Sequence, residues 1–296
     1  MHHVHVHLRA FTASGTPSGP NEDWLSAGSD VVVVLDGATV RTGTGCRHGV
    51  VWYVRNLGAR LVAEAADESR PLPDVLAGAI RGVAARHPEC DLDHPGTPSA
   101  AVGIVRVEGD GIGYAVLGDV SLVVDTGDGI TVVCDDRVSR TAPAERTAVD
   151  DHPIGAPEKA EALVRMKHAE LAARNRPGGY WIAAADPDAA RHALVGRVPL
   201  VRRFALLSDG AARAVDLFRV LDWGEALDLS PEDLVARVRE VEAADPLGEG
   251  FPRNKASNDA TVVHVTGVVG PAEPTTPGGH TARAMAIAPS RRAPAS

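Results

Sequence analysis

The chain has 296 residues, of which 44% are hydrophobic, 23% charged and 4% aromatic, a balance that suits a globular protein with a sizeable core. No apolar run approaches the roughly 18 residues of a spanning helix, so no membrane segment is expected. The net charge of −9, with no basic block before the C-terminal tail, argues against nucleic acid as a partner.

The N-terminal stretch "HHVHVHLRA" sets His3, His5 and His7 on one face and Val4, Val6 and Leu8 on the other. That period of two predicts a strand over residues 2–10. The segment lacks the apolar h-region of a secretory signal, and a cytoplasmic location is expected. "ASGTPSGPNEDW" is a loop by composition, and "VVVVLD" (31–36) is a strand buried on both faces. From Cys46, "CRHGVVWYVRNLGARLVAEAADE" places Val50, Val54, Leu57 and Leu61 at helical spacing, and "PLPDVLAGAIRGVAARHP" repeats the pattern. Residues 98–137 are three or four short strands with "EGDG" and "TGDG" as hairpin turns. Helices are expected over 157–174 and 186–195, joined by "NRPGGYW". A strand over 202–210 then leads into helices across "AARAVDLFRVL" and "SPEDLVARVREVEAAD", before a last strand over 259–269. Cys46, Cys90 and Cys134 are too few and too scattered for a disulfide framework or a zinc ribbon. Residues 1–270 read as one domain, and the Pro/Ala/Gly-rich segment 271–296 as a disordered tail. Strands grouped between helical pairs favour an α+β layered fold with largely antiparallel sheets.

Acids recur at the ends of the apolar strands. "VVVVLDGA" ends at Asp36-Gly37, "AVLGDVSL" holds Asp119, "FALLSDGA" ends at Asp209, and "NDATVVHV" opens with Asn258-Asp259, while "PNEDW" adds Glu22 and Asp23. Any one Asp-Gly is an ordinary turn signal. Carboxylates gathered at the rim of a core repel one another and lose solvation unless a cation sits among them, and hard divalent ions meet that need with oxygen ligands. The residue pattern reads as a multi-carboxylate metal site, although spacing alone does not bring these acids together in space.

In their order, "NED", "VVVVLDGA", "AVLGDVSLVV", "FALLSDGA" and "NDATVVHV" resemble the PPM (PP2C-type) metal-dependent Ser/Thr protein phosphatases, as a divergent bacterial member. The resemblance covers roughly residues 3–267. It implies an αββα sandwich, two mainly antiparallel sheets packed face to face and flanked by helix pairs. It also implies Mn2+ or Mg2+ as cofactor, two ions with a third in bacterial members. Asp36 would bridge two ions, the Gly37 carbonyl would bind one, and Asp23 would serve the ion on the far side of Asp36. Asp209 would bind the opposite ion, Asp119 with Asp209 the third, and Asn258 or Asp259 would be the last ligand. The implied catalytic residues are Asp36 and Asp209. The implied reaction is hydrolysis of phosphoserine or phosphothreonine by a water bridging two cations, on a phosphoprotein or small phosphorylated substrate.

The chain departs from the family pattern in three places. No Arg precedes Glu22-Asp23 to grip phosphate, and Arg9 is the nearest upstream. The usual Asp-Gly-x-Gly-Gly-His is replaced by "DGATVRTGTGCRHG", in which Arg41, Arg47 and His48 are the candidate substrate-binding groups. Asn258 stands where an anionic ligand is usual. Arg165, Lys167, Arg174 and Arg176, in the region where the family carries a variable flap, are further candidates for anion recognition. Two alternatives follow from these departures: a small-molecule hydrolase on the same metal centre, or a non-catalytic regulatory module.

Overall fold

The computed structural model describes residues 6–109 and 111–268. His3, His5 and the expected tail over 271–296 lie outside these residues. Two five-stranded sheets form the centre, in the orders β1-β10-β9-β6-β7 and β2-β3-β4-β5-β8, and every pairing is antiparallel. The first sheet contains β1 (His7–Ala13), β6 (Ser121–Asp125), β7 (Ile130–Val133), β9 (Arg203–Leu207) and β10 (Ala260–Thr266). The second contains β2 (Trp24–Ala27), β3 (Val31–Gly37), β4 (Ala100–Glu108), β5 (Gly111–Leu117) and β8 (Leu194–Pro199). This is the expected α+β sandwich.

The valine run explains the layering. Val31, Val33 and Leu35 of β3 pack against α1 (Gly49–Ala65) and α2 (Leu72–Ala84), where they meet Leu57, Leu61, Leu76 and Ile80. Val32 and Val34 face the opposite way and pack between the sheets with Leu122, Phe204, Leu206 and Val263. On the far side, Ala205, Leu207 and Val262 meet Leu234, Val235 and Val238 of α7 (Pro231–Ala244), alongside α5 (Asp209–Asp216) and α6 (Trp223–Asp228). Both faces of each sheet are covered, so a β-branched run without polar alternation is what such a strand requires.

The structure differs from the sequence reading at several elements. The helix expected over 186–195 is a short 3-10 turn, Pro187–His192, followed directly by β8. Five of the six residues of β8 are exposed and Gly196 interrupts it, so an edge strand here carries no burial pattern to read. The strand expected over 202–210 stops at Leu207, because Asp209 and Gly210 already belong to the first turn of α5. Two helices lie in the expected flap region, α3 (Pro143–Asp150) and α4 (Pro157–Ala173), and the first of them has no counterpart in the sequence reading.

Candidate functional site

The alternation that buries the valines also aims Asp36. It shares the face of Val32 and Val34 and therefore projects between the sheets, at the end where β3 stops. Gly37 projects toward the helices, where a Cβ would lie 2.4 Å from both the Glu22 carbonyl and Val50 Cγ1. No larger residue fits there. From the other sheet, Asp209 arrives on the first turn of α5, and its backbone N–H donates to Asp36 Oδ2 at 3.1 Å. Asp119 follows Gly118, whose φ of +85° turns the chain out of β5 and whose missing Cβ leaves room for Ala101. Asp36, Gly37, Asp119, Asp209 and Asn258 line one cavity of about 160 Å³.

Asp23 lies behind this cavity. Thr261 Oγ1 donates to its Oδ2 at 2.8 Å, and Thr12 is 2.7 Å from the same Thr261 hydroxyl. Its other oxygen, Oδ1, is buried with no hydrogen-bond partner. A buried carboxylate oxygen left in that state is destabilising unless something positive meets it.

The electrostatics carry the same signal. Burial, then Asp209 and Asp23, push the Asp36 carboxyl well above its ordinary range. Burial pushes Asp23 up to about 7 against the hydrogen bonds from Thr261 and Ser208, with Asp209 and Asp259 adding repulsion. Burial and then Asp209 push Asp119 up to about 7 as well. Carboxyls that cannot all ionise together form a preferred site for hard divalent cations, which remove the repulsion and accept oxygen donors. The donor set and the orphaned Asp23 oxygen both fit Mn2+ or Mg2+.

Asn258 and Asp259 part ways. The Asn258 amide donates to Asp209 Oδ1 at 2.6 Å, and its oxygen accepts from Lys255 Nζ at 2.6 Å. Asp259 is turned away, accepting the backbone N–H groups of Gly15 at 2.8 Å and Glu22 at 2.7 Å. It closes the loop that delivers Asp23, with both oxygens engaged in that task.

The cations sort themselves too. Arg41 and Lys167 line the cavity, and in both burial holds the cationic group below its ordinary pKa. Arg47 lies outside, paired with Glu89 at 2.6 Å on the exposed surface. His48 also lies outside, beside Cys46, His87 and Cys90. Arg165 is exposed near Glu161, and Arg174 is spent on Thr97 and Ser99. Arg9 pairs with Glu232 on the exterior, 3.6 Å away. Sequence reasoning missed Lys255, Arg213 and Glu170, which also line the cavity. Lys255 Nζ donates to Thr39 Oγ1 at 2.8 Å as well as to Asn258. Its only sequence signal was a place three residues before Asn258.

The fold is that of bacterial PPM-type Ser/Thr phosphatases. A crystal structure of the Mycobacterium tuberculosis serine/threonine phosphatase PstP/Ppp superposes with a TM-score of 0.53 at 17% identity, over 88% of this chain and 98% of that one. The PstP catalytic domain in complex with two manganese ions gives 0.51 at 18% identity, over 88% and 97%. The PPM Ser-Thr phosphatase MsPP from Mycobacterium smegmatis, in complex with cacodylate, gives 0.51 at 19% identity over the same shares. No protein-family model and no curated protein matches the chain. Among the described residues, no helix is long and apolar enough to cross a membrane.

Proposed function

We propose that the chain is a metal-dependent phosphomonoester hydrolase acting on phosphoserine or phosphothreonine, with Asp36 and Asp209 at its centre. The observation that carries this reading is the convergence of Asp36, Asp119 and Asp209, from three separate strand ends, on one cavity rimmed by Arg41, Lys167 and Lys255. Asp36 with Asp23 and the Gly37 carbonyl would hold one ion, Asp36 with Asp209 a second, and Asp119 with Asp209 a third. Mn2+ or Mg2+ in these places would supply Lewis-acid polarisation of a phosphoryl oxygen and lower the pKa of water toward neutrality.

The chain's own groups do the rest. The Asp209 N–H holds the Asp36 carboxylate in one rotamer, and Thr261 does the same for Asp23, so the acids are preorganised. Lys255 and Arg41 are the charge-assisted donors for the phosphoryl oxygens, in place of the Arg missing before Glu22. Lys255 can turn from Asn258 toward an incoming anion. That would release the Asn258 oxygen for a cation.

The cavity itself favours a second reading. It is small, about 160 Å³, and is lined also by Met166, Lys167 and Glu170 of α4 and by Tyr180, dimensions suited to a small phosphorylated molecule. A panel of phosphopeptides and small phosphate esters separates the two. Hydrolysis of p-nitrophenyl phosphate with Mn2+ supplied and withdrawn tests the class: turnover is expected only with the ion. An enzyme whose rate ignores Mn2+ and Mg2+, or shows no turnover with either, rules out the proposal.

A further inference from the structure

A second group of donors lies outside the acidic cavity. Cys46 and His48 immediately precede α1, and His87 and Cys90 follow α2, so the pairs are separated in sequence by the whole α1–α2 hairpin. The hairpin returns its ends to one place. The four donor atoms all lie within 4.8 Å of one another. Cys46 Sγ is 3.5 Å from Cys90 Sγ, 3.4 Å from His87 Nδ1 and 3.7 Å from His48 Nδ1, and Cys90 Sγ is 3.5 Å from His48 Nδ1.

These are four of the six edges of the group, and the remaining two, from His87 to His48 and to Cys90, are no longer than 4.8 Å. Zinc–sulfur bonds of about 2.3 Å and zinc–nitrogen bonds of about 2.05 Å, set at tetrahedral angles, put sulfur about 3.8 Å from sulfur and about 3.5 Å from nitrogen. The four measured edges match to within a few tenths of an ångström. The surroundings hold the ligands for that geometry. Trp52 stacks on the His48 ring with centroids 4.3 Å apart and meets the His87 ring edge-on at 4.4 Å, which fixes both imidazole planes. The His48 backbone N–H donates to Cys46 Sγ at 3.4 Å, and His87 is only 3% exposed. The Asp91 N–H donates to the Gly45 carbonyl at 2.9 Å, so the two loops are already joined beside the cluster.

We propose that Cys46, His48, His87 and Cys90 form a closed structural zinc site that clasps the start of α1 to the end of α2. Two thiolates and two imidazoles in a tetrahedral cage select zinc over the hard ions that the acidic cavity suits. With four protein ligands the site keeps no open position for chemistry, so its role is mechanical. It anchors the far end of the Ala38–Arg47 loop, which carries Arg41 and whose near end is fixed at Asp36-Gly37.

The test is metal analysis of the full chain, purified without chelator, together with thiol reactivity. We expect about one zinc per chain, retained in Asp36→Asn and lost in the double variant Cys46→Ser/Cys90→Ser. The cobalt-substituted chain should show thiolate-to-metal charge-transfer absorption that the double variant lacks. Should that variant fail to fold, the wild-type chain still decides. Cys46 and Cys90 should resist alkylation until a strong chelator is added, whereas Cys134 should react at one rate throughout. Zinc content indifferent to the cysteine pair, zinc lost with Asp36, thiols alkylated at a chelator-independent rate, or a Cys46–Cys90 disulfide in the isolated chain would each overturn the proposal.

Discussion

The acidic cavity and the Cys/His cluster stand at opposite ends of the Ala38–Arg47 loop, and they solve different physical problems. In the cavity, oxygen donors sit at the ends of buried strands, and their positions are set by sheet register. Burial first, and then repulsion from neighbouring acids, raises the carboxyls of Asp23, Asp36 and Asp119 above their usual range. The cluster has thiol and imidazole donors that can all be uncharged at once, carried on loops at helix ends and gathered within 4.8 Å of one another. The contrast is between acids fixed at strand ends, which bear electrostatic stress, and thiol and imidazole donors brought together at helix ends.

The sharpest way to break this contrast is at Asp36. Asp36→Asn should lower metal-dependent hydrolysis by about 10³-fold or more, measured as kcat on p-nitrophenyl phosphate. A variant with undiminished turnover would falsify the assignment. Next in size is Lys255→Met, which should reduce kcat/KM by about 10- to 100-fold, the range of a lost charge-assisted hydrogen bond. An unchanged kcat/KM would place phosphate recognition elsewhere.

Stability against pH probes the stress directly. Asp23 and Asp119 keep their protons to about 7 in the fold, against an ordinary value of 3.8. At these two groups the unfolded chain binds fewer protons between those values than the native one, so their contribution to stability is full below the ordinary value and is lost as pH rises through 7. Without Mn2+ or Mg2+, Tm should therefore drop between mildly acidic and neutral pH, and added Mn2+ should reverse the drop. Asp119→Asn should flatten the profile and raise the ion-free Tm at pH 8 by roughly 2 °C or more. Coincident profiles for the wild-type chain and Asp119→Asn would mean that the acids are not in conflict. The smallest effect is expected at Arg47, whose pair with Glu89 is exposed: Arg47→Ala should change stability by no more than about 0.5 kcal/mol, with unaltered hydrolysis.

The parts of the molecule that were legible share a cause. Asp36, Asp119 and Asp209 each follow a run of buried residues, and burial leaves a hydrophobic pattern with an acid at its end. Asn258 and Asp259 were left as alternatives because the pattern records two adjacent polar residues and not the backbone N–H groups that claim one of them. Lys255 and Arg213 were invisible because a loop lysine and a helical arginine carry no periodic mark of what they face. The cluster escaped for another reason. Cys46 and Cys90 look scattered until the α1–α2 hairpin closes, and the short spacings Cys-x-His and His-x-x-Cys mean little apart. Arg47 and His48 were grouped with Arg41 by proximity in sequence, yet the loop sends Arg41 to the acids and His48 to the thiols.

Because β3 buries both faces, its reading frame is an address. Inserting one residue between Val31 and Leu35 would preserve hydrophobicity, hydrogen bonding and even the local composition, yet it would swap the destinations of Asp36 and Gly37. The carboxylate would then be driven into Val50 and the glycine would face the acids. A single insertion in this strand is tolerable only where a bulge absorbs it before Asp36, whereas an insertion of two keeps the carboxylate on its face.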